Sequence, residues 1–106
     1  ILIKTHNSFV DGFDPRFVFL GKAAAQYLAA LGIKGVGTDG LGIERDQVSH
    51  PSHKALFEAG CMVLEGLMLK YIEPGEYKLI ALPLKIAGAE ASPVRAVLVD
   101  EKCVTE

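Results

Sequence analysis

Changes in the spacing of apolar positions divide this chain into short elements. Ile1–Thr5 is short and β-rich and predicts a strand. From His6 to Leu20 no period holds, and polar and turn-forming residues surround Phe9, Phe13, Phe17 and Phe19. That stretch predicts a long ordered loop whose aromatics pack onto the body or border a pocket. Lys22–Leu31 predicts a helix, because it is rich in alanine and sets Tyr27, Leu28 and Leu31 at helical spacing. Gly32 is its natural stop. Residues 33–38, Ile-Lys-Gly-Val-Gly-Thr, read as a buried strand ending at Asp39, so a helix and a strand joined at a glycine predict an α/β unit.

Residues 40–49 read as a polar loop. Pro51 suits the first turn of a helix running to Ala59, with Gly60 as its stop. Cys61–Glu65 predicts the next strand, 67–72 has no clear period, and Pro74-Gly75 marks a turn. Tyr77–Leu82, closed by Pro83, and Val94–Val99 predict two more strands. The pattern thus passes from α/β to mostly β.

Composition narrows the class. With 106 residues, 50% hydrophobic and 23% charged, the chain can bury one small core and is not disordered. Its 11 basic and 13 acidic residues are dispersed, for a net charge of −2, so no basic stripe points to nucleic acid. No apolar run reaches the length of a membrane span. Cys61 lies in an apolar run and Cys103 in a polar tail, which is no disulfide framework and favours a reducing, cytoplasmic setting. The chain opens Ile-Leu-Ile-Lys-Thr, without an initiator methionine and already in a strand pattern. We therefore expect it to be part of something longer.

Candidate chemistry gathers in residues 49–67. His53 shares a helix face with Leu56 and Phe57, and we expect that face to turn inward. Glu65 alternates with Val63 and Cys61, which places it at the end of an apolar strand face. An unpaired imidazole or carboxylate among apolar neighbours is costly. A core histidine bonded to a backbone carbonyl, and a glutamate paired with Arg95 or a lysine, would satisfy them. A shared metal ion would too, since imidazole and carboxylate are typical ligands of Zn²⁺ and Mn²⁺. Asp39, at the end of a buried strand, is either a third contributor or a loop cap. His50, before Pro51, reads as a loop or capping residue, and His6 is remote in sequence. Arg95 alternates with Val97 and Val99 on a strand expected to be buried, as an ion-pair partner or a substrate clamp.

Residues 35–40, Gly-Val-Gly-Thr-Asp-Gly, match the dinucleotide motif Gly-x-Gly-x-x-Gly literally. The first glycines fall within the predicted strand and no apolar helix follows, so the phosphate would lack its helix N-terminus. No nucleophile elbow is present.

Several segments together carry a family resemblance. They are Ile3-Lys4-Thr5, the alanine-rich helix into Gly35–Asp39, His50-Pro51-Ser52-His53-Lys54 and Val63-Leu64-Glu65-Gly66-Leu67. Residues 79–86, Leu-Ile-Ala-Leu-Pro-Leu-Lys-Ile, and Ser92-Pro93-Val94-Arg95-Ala96 continue it. In order and spacing the chain resembles the C-terminal half of the cyclase family of metal-dependent hydrolases, which includes bacterial kynurenine formamidase and isatin hydrolase. The resemblance implies an α/β fold of the β/β/α swivelling type, here a partial domain, with residues 1–106 as one domain. It implies hydrolysis of non-peptide amide bonds by a mono- or dinuclear centre of Zn²⁺ or Mn²⁺. His53 and Glu65 match the two metal ligands that the family's second half supplies, and Asp39 would steady the site without touching the metal. The other ligands, and the histidine thought to act in catalysis, belong to a first-half His-x-Gly-Thr-His-x-Asp-x-Pro-x-His motif that this chain does not contain. Gly42 stands where the family often has serine, and Glu90-Ala91 replaces a common Asp-Gly. The implied partners are a small amide substrate and either the missing half or another copy of the chain. Two other readings stay open: a non-catalytic half-domain that assembles with a partner, and a nucleotide-binding module.

Overall fold

The computed structural model describes residues 1–100, grouped into two compact units, Ile1–Ile72 and a second beginning at Glu73. In the first unit, β1 (Leu2–Ile3), β2 (Gly35–Thr38) and β3 (Met62–Leu64) form a parallel sheet with β2 central. Parallel neighbours need crossovers. Helices α1 (Lys22–Ala30) and α2 (Pro51–Glu58) lie in those two connections and pack on each other. The predicted helix stops hold: Gly32 and Gly60 take φ of +67° and +69°, which a side chain would resist.

The core of this unit is small. Ala25, Val36, Ile43, Leu56 and Cys61 form its buried centre, with Ile3, Leu20, Leu28, Ile33, Ala55 and Val63 around them. On α1 the inward residues are Ala25, Leu28 and Ala29, while Tyr27 and Leu31 face outward, so the buried stripe is rotated from the one expected. Alanines there let α1 approach α2 closely. On α2, Ser52 and Leu56 are buried, whereas Phe57, expected inside, is 59% exposed.

The two connections expected to be loops, one ordered by its aromatics and one polar, differ in part from those expectations. The 6–20 stretch contains a 3-10 turn at His6–Phe9. Phe17 and Phe19 are half-buried, but Phe9 and Phe13 are exposed, so only two of the four aromatics pack as expected. The 40–49 loop is not simply polar, because Ile43 is fully buried and Glu44 nearly so. Leu20 N–H bonds to Ile43 O at 2.9 Å and stitches the two loops together. Gly40 sits at that junction. A Cβ there would lie 3.0 Å from Val18 O, 3.1 Å from Asn7 Nδ2 and 3.1 Å from Gly42 O. Two of the three neighbours are backbone and cannot swing aside. Gly40→Ala should therefore destabilise the chain by about 1–3 kcal/mol through overpacking. An unchanged urea midpoint would show that the loops can give way.

The second unit is an antiparallel pair, β4 (Lys78–Pro83) and β5 (Val94–Val99), in register from Lys78↔Val99 to Pro83↔Val94. Cross-strand partners share a face, so Ile80, Leu82, Arg95 and Val97 lie together. The expected alternation of Arg95, Val97 and Val99 is present, but its burial is not: Arg95 and Val97 are exposed and Leu82 is 72% exposed. A two-stranded sheet cannot cover both of its own faces. Cys103 and the rest of the tail lie outside the described residues. Among the described residues no helix is long and apolar enough to cross a membrane.

Candidate metal centre

The centre is built where the 40–49 loop, the start of α2 and the end of β3 meet. Pro51 opens α2 after His50, and neither gives its N-terminal amides a side-chain cap. Ser49 and His50 both take left-handed φ, 72° and 49°, an uncommon conformation for side-chain-bearing residues. The cap comes instead from Glu44, whose Oε1 accepts the Ser52 N–H at 2.5 Å. A carboxylate at a helix N-terminus also meets the positive end of the helix dipole. Glu44 is thus held from the far side of a loop, with its side chain only 3% exposed.

Its other oxygen, Oε2, lies 2.5 Å from His53 Nδ1 and 3.5 Å from His50 Nδ1. Burial opposes the charge on Glu44, but hydrogen bonds from the His53 side chain and the Ser52 amide outweigh it and hold the carboxyl below the usual glutamate range. Across the ring, His53 Nε2 lies 3.3 Å from Glu65 Oε1. That oxygen also accepts the Ile43 N–H at 2.7 Å. The imidazole therefore spans two carboxylates, one buried and one facing solvent. Phe57 flanks it, with ring centroids 5.7 Å apart.

The structure brings His53 and Glu65 together, as expected, but not in the expected surroundings. Glu65 lies just beyond β3, with its side chain 38% exposed, rather than enclosed on an apolar face. The loop amide of Ile43 and the edge of the imidazole are its polar neighbours. Asp39 ends β2, but its carboxylate is taken up by Thr5, Asn7 and Ser8. Gly42 borders the centre: a Cβ there would lie 3.7 Å from Glu65 Oε1 and 3.0 Å from Glu44 O. Gly35 and Gly37 lie within β2, and the next helix begins only at Pro51, so the glycine motif has no helix N-terminus behind it.

Sequence reasoning missed Glu44. One signal was available: α2 begins with proline and without a Ser, Thr, Asp or Asn cap, so an upstream acid had to be considered. Glu44, His50 and His53 each place one ligand atom within 4.8 Å of the others, and this grouping can hold a metal ion. The donor chemistry fits a divalent cation.

No protein-family model matches the chain. Individual proteins do. The chain is 38% identical over 100 residues to a kynurenine formamidase of Sphingopyxis alaskensis, covering 92% of this chain and 48% of that one. It is 51% identical over 74 residues to the kynurenine formamidase of Salinibacter ruber, 69% of this chain and 35% of that one. Among solved structures, it matches one described as a potential metal-dependent hydrolase with cyclase activity at TM-score 0.88 and 52% identity, covering 92% of this chain and 48% of that one. A predicted metal-dependent hydrolase from Bacillus stearothermophilus matches at the same TM-score and identity, with 47% of its chain covered. The chain spans about half the length of the curated relatives it matches. Its fold is thus that of part of a cyclase-type hydrolase domain.

Proposed function

We propose that this chain, which is similar to cyclase-type metal-dependent hydrolases over about half of a relative's length, is the C-terminal portion of such an enzyme. In this reading residues 1–106 are part of one hydrolase domain, and the substrate is a small molecule with a non-peptide amide bond, such as an aryl formamide. His53 and Glu65 supply part of the metal site. The observation that carries the reading is the 3.3 Å between His53 Nε2 and Glu65 Oε1. Two ligands bound at ~2.0–2.1 Å to one tetrahedral ion are separated by about 3.3–3.4 Å. The pair is spaced as ligands of one ion are.

A bound divalent metal would lower the pKa of a coordinated water and polarise the scissile carbonyl. This chain's residues do the rest of the local work. Glu65 is braced by the Ile43 amide, which limits its swing toward solvent. Phe57 and His50 flank the His53 ring and restrict its rotation. The chemistry of the donors favours Zn²⁺ or Mn²⁺. A cytoplasmic setting suits the free, buried Cys61. The remaining ligands would come from the missing half or from an oligomeric partner.

The test is metal binding. The purified protein should take up Zn²⁺ or Mn²⁺ when titrated calorimetrically, and His53→Ala and Glu65→Gln should each lose that uptake while keeping the circular dichroism of the parent. A parent that binds neither ion, or variants that bind as it does, would defeat the proposal. The alternative, a non-catalytic half that assembles with a partner, has its own support in the exposed apolar face of Ile80, Leu82 and Val97. It expects partner association without metal uptake.

A further inference from the structure

The geometry points to Glu44 as a positioning residue: it accepts the His53 Nδ1–H and so turns the Nε2 lone pair toward Glu65. This rests on the reading of His53 and Glu65 as ligands and gives Glu44 a role outside the ligand set.

Both Glu44 oxygens are already engaged. Oε1 holds the Ser52 amide and Oε2 faces His53 Nδ1. At 2.5 Å, Oε2 and Nδ1 are in direct hydrogen-bond contact. Co-ligands of one tetrahedral ion would stand about 3.3 Å apart, the spacing found on the other side of the ring. A carboxylate can only accept, and a neutral imidazole carries one N–H. With Glu44 at Nδ1, that hydrogen belongs on Nδ1 and Nε2 is left as the donor to a cation. Metal-bound histidines commonly have such a carboxylate behind them. The helix cap fixes Glu44, Glu44 fixes the ring, and the ring is aimed at Glu65.

The competing arrangement is the Glu44–His50–His53 grouping, in which Glu44 is itself a ligand. With Oε2 facing Nδ1, that ion would bind on the Nδ1 side of His53. The two arrangements use opposite nitrogens of one ring, so an experiment can separate them.

We would label the histidine imidazoles of the whole chain with ¹⁵N and record their spectra in alkaline buffer, before and after adding Zn²⁺. The expected result is a protonated Nδ1 on His53 without metal, and a Zn²⁺-induced shift at Nε2. A hydrogen on Nε2, or zinc at Nδ1, would overturn the inference. Glu44→Gln adds a second readout. Glutamine has a single carbonyl oxygen, which the fixed Ser52 amide will claim, leaving its NH₂ against Nδ1. The hydrogen should then move to Nε2, and zinc affinity should fall roughly 10–100-fold. A fall in affinity with the hydrogen still on Nδ1 would mark Glu44 as a ligand and overturn the inference. If the parent takes up no zinc, the metal reading fails separately, and the tautomers of parent and variant still decide what Glu44 does. If the variant does not fold, the parent's spectra decide alone.

Discussion

Leu56→Ala should lower the free energy of unfolding by about 2–5 kcal/mol, the range for truncating a fully buried leucine. Leu56 has no exposed surface and sits among Ala25, Val36, Ile43 and Cys61. Those neighbours come from α1, β2, the 40–49 loop and the residue just before β3, so the cavity would touch both helices' packing and the sheet at once. Small domains have only about 5–15 kcal/mol to lose. Leu56 also lies one turn after His53 on α2, and loosening the helix there should blur the ring's aim. Phe57→Ala is the control, because Phe57 is mostly exposed and should cost less than about 1 kcal/mol. Urea unfolding of both variants checks this. If Phe57→Ala cost as much as Leu56→Ala, the inward face of α2 would not be the one described.

The contrast between those neighbours shows what the sequence could and could not reveal. Spacing alone placed Leu56 and Phe57 on one face with His53, because residues three and four apart share a stripe. Which edge of the stripe is covered depends on where α1 lies, and that is a tertiary fact. The same limit explains Tyr27 and Leu31, which keep helical spacing yet face solvent while smaller alanines pack inward. The elements themselves were legible because their signals are local. Gly32, Gly60 and Pro51 punctuate both helices, and β2, β4 and β5 follow apolar runs. Within the site, His53 and Glu65 could be found from their own segments. Glu44 could not be placed, since its partners Ser52 and His53 are eight and nine residues away across an irregular loop. The exposure of Arg95 and Val97 was hidden for a related reason: alternation reports which residues share a face, not whether anything covers it.

Asp39→Asn should cost about 2–3 kcal/mol at neutral pH, and the difference from the parent should shrink in acid. The Asp39 carboxylate receives the Thr5 N–H at 2.6 Å and Oγ1–H at 2.8 Å, the Ser8 N–H at 3.1 Å and Oγ–H at 2.6 Å, and Asn7 Nδ2 at 3.3 Å. All five groups donate, and asparagine would turn an NH₂ toward some of them. These bonds tie the end of β2 to the turn after β1, so they hold the sheet's central strand to an edge. Burial works against the charge, but the hydrogen bonds from Ser8 and Thr5 outweigh it and hold the carboxyl below its ordinary value of 3.8. A carboxyl whose folded pKa is depressed adds stability above its unfolded pKa and loses it as pH falls through the folded one. The contribution of Asp39 should therefore be complete above about pH 5 and decline from about pH 4 downward. Urea unfolding of parent and variant from neutral pH to about pH 3 reads this directly, and the variant corrects for other carboxylates that titrate in the same range. A difference that stayed constant with pH would assign the effect to the shape of the side chain, leaving the charge of Asp39 with no part in fastening β2 to the turn.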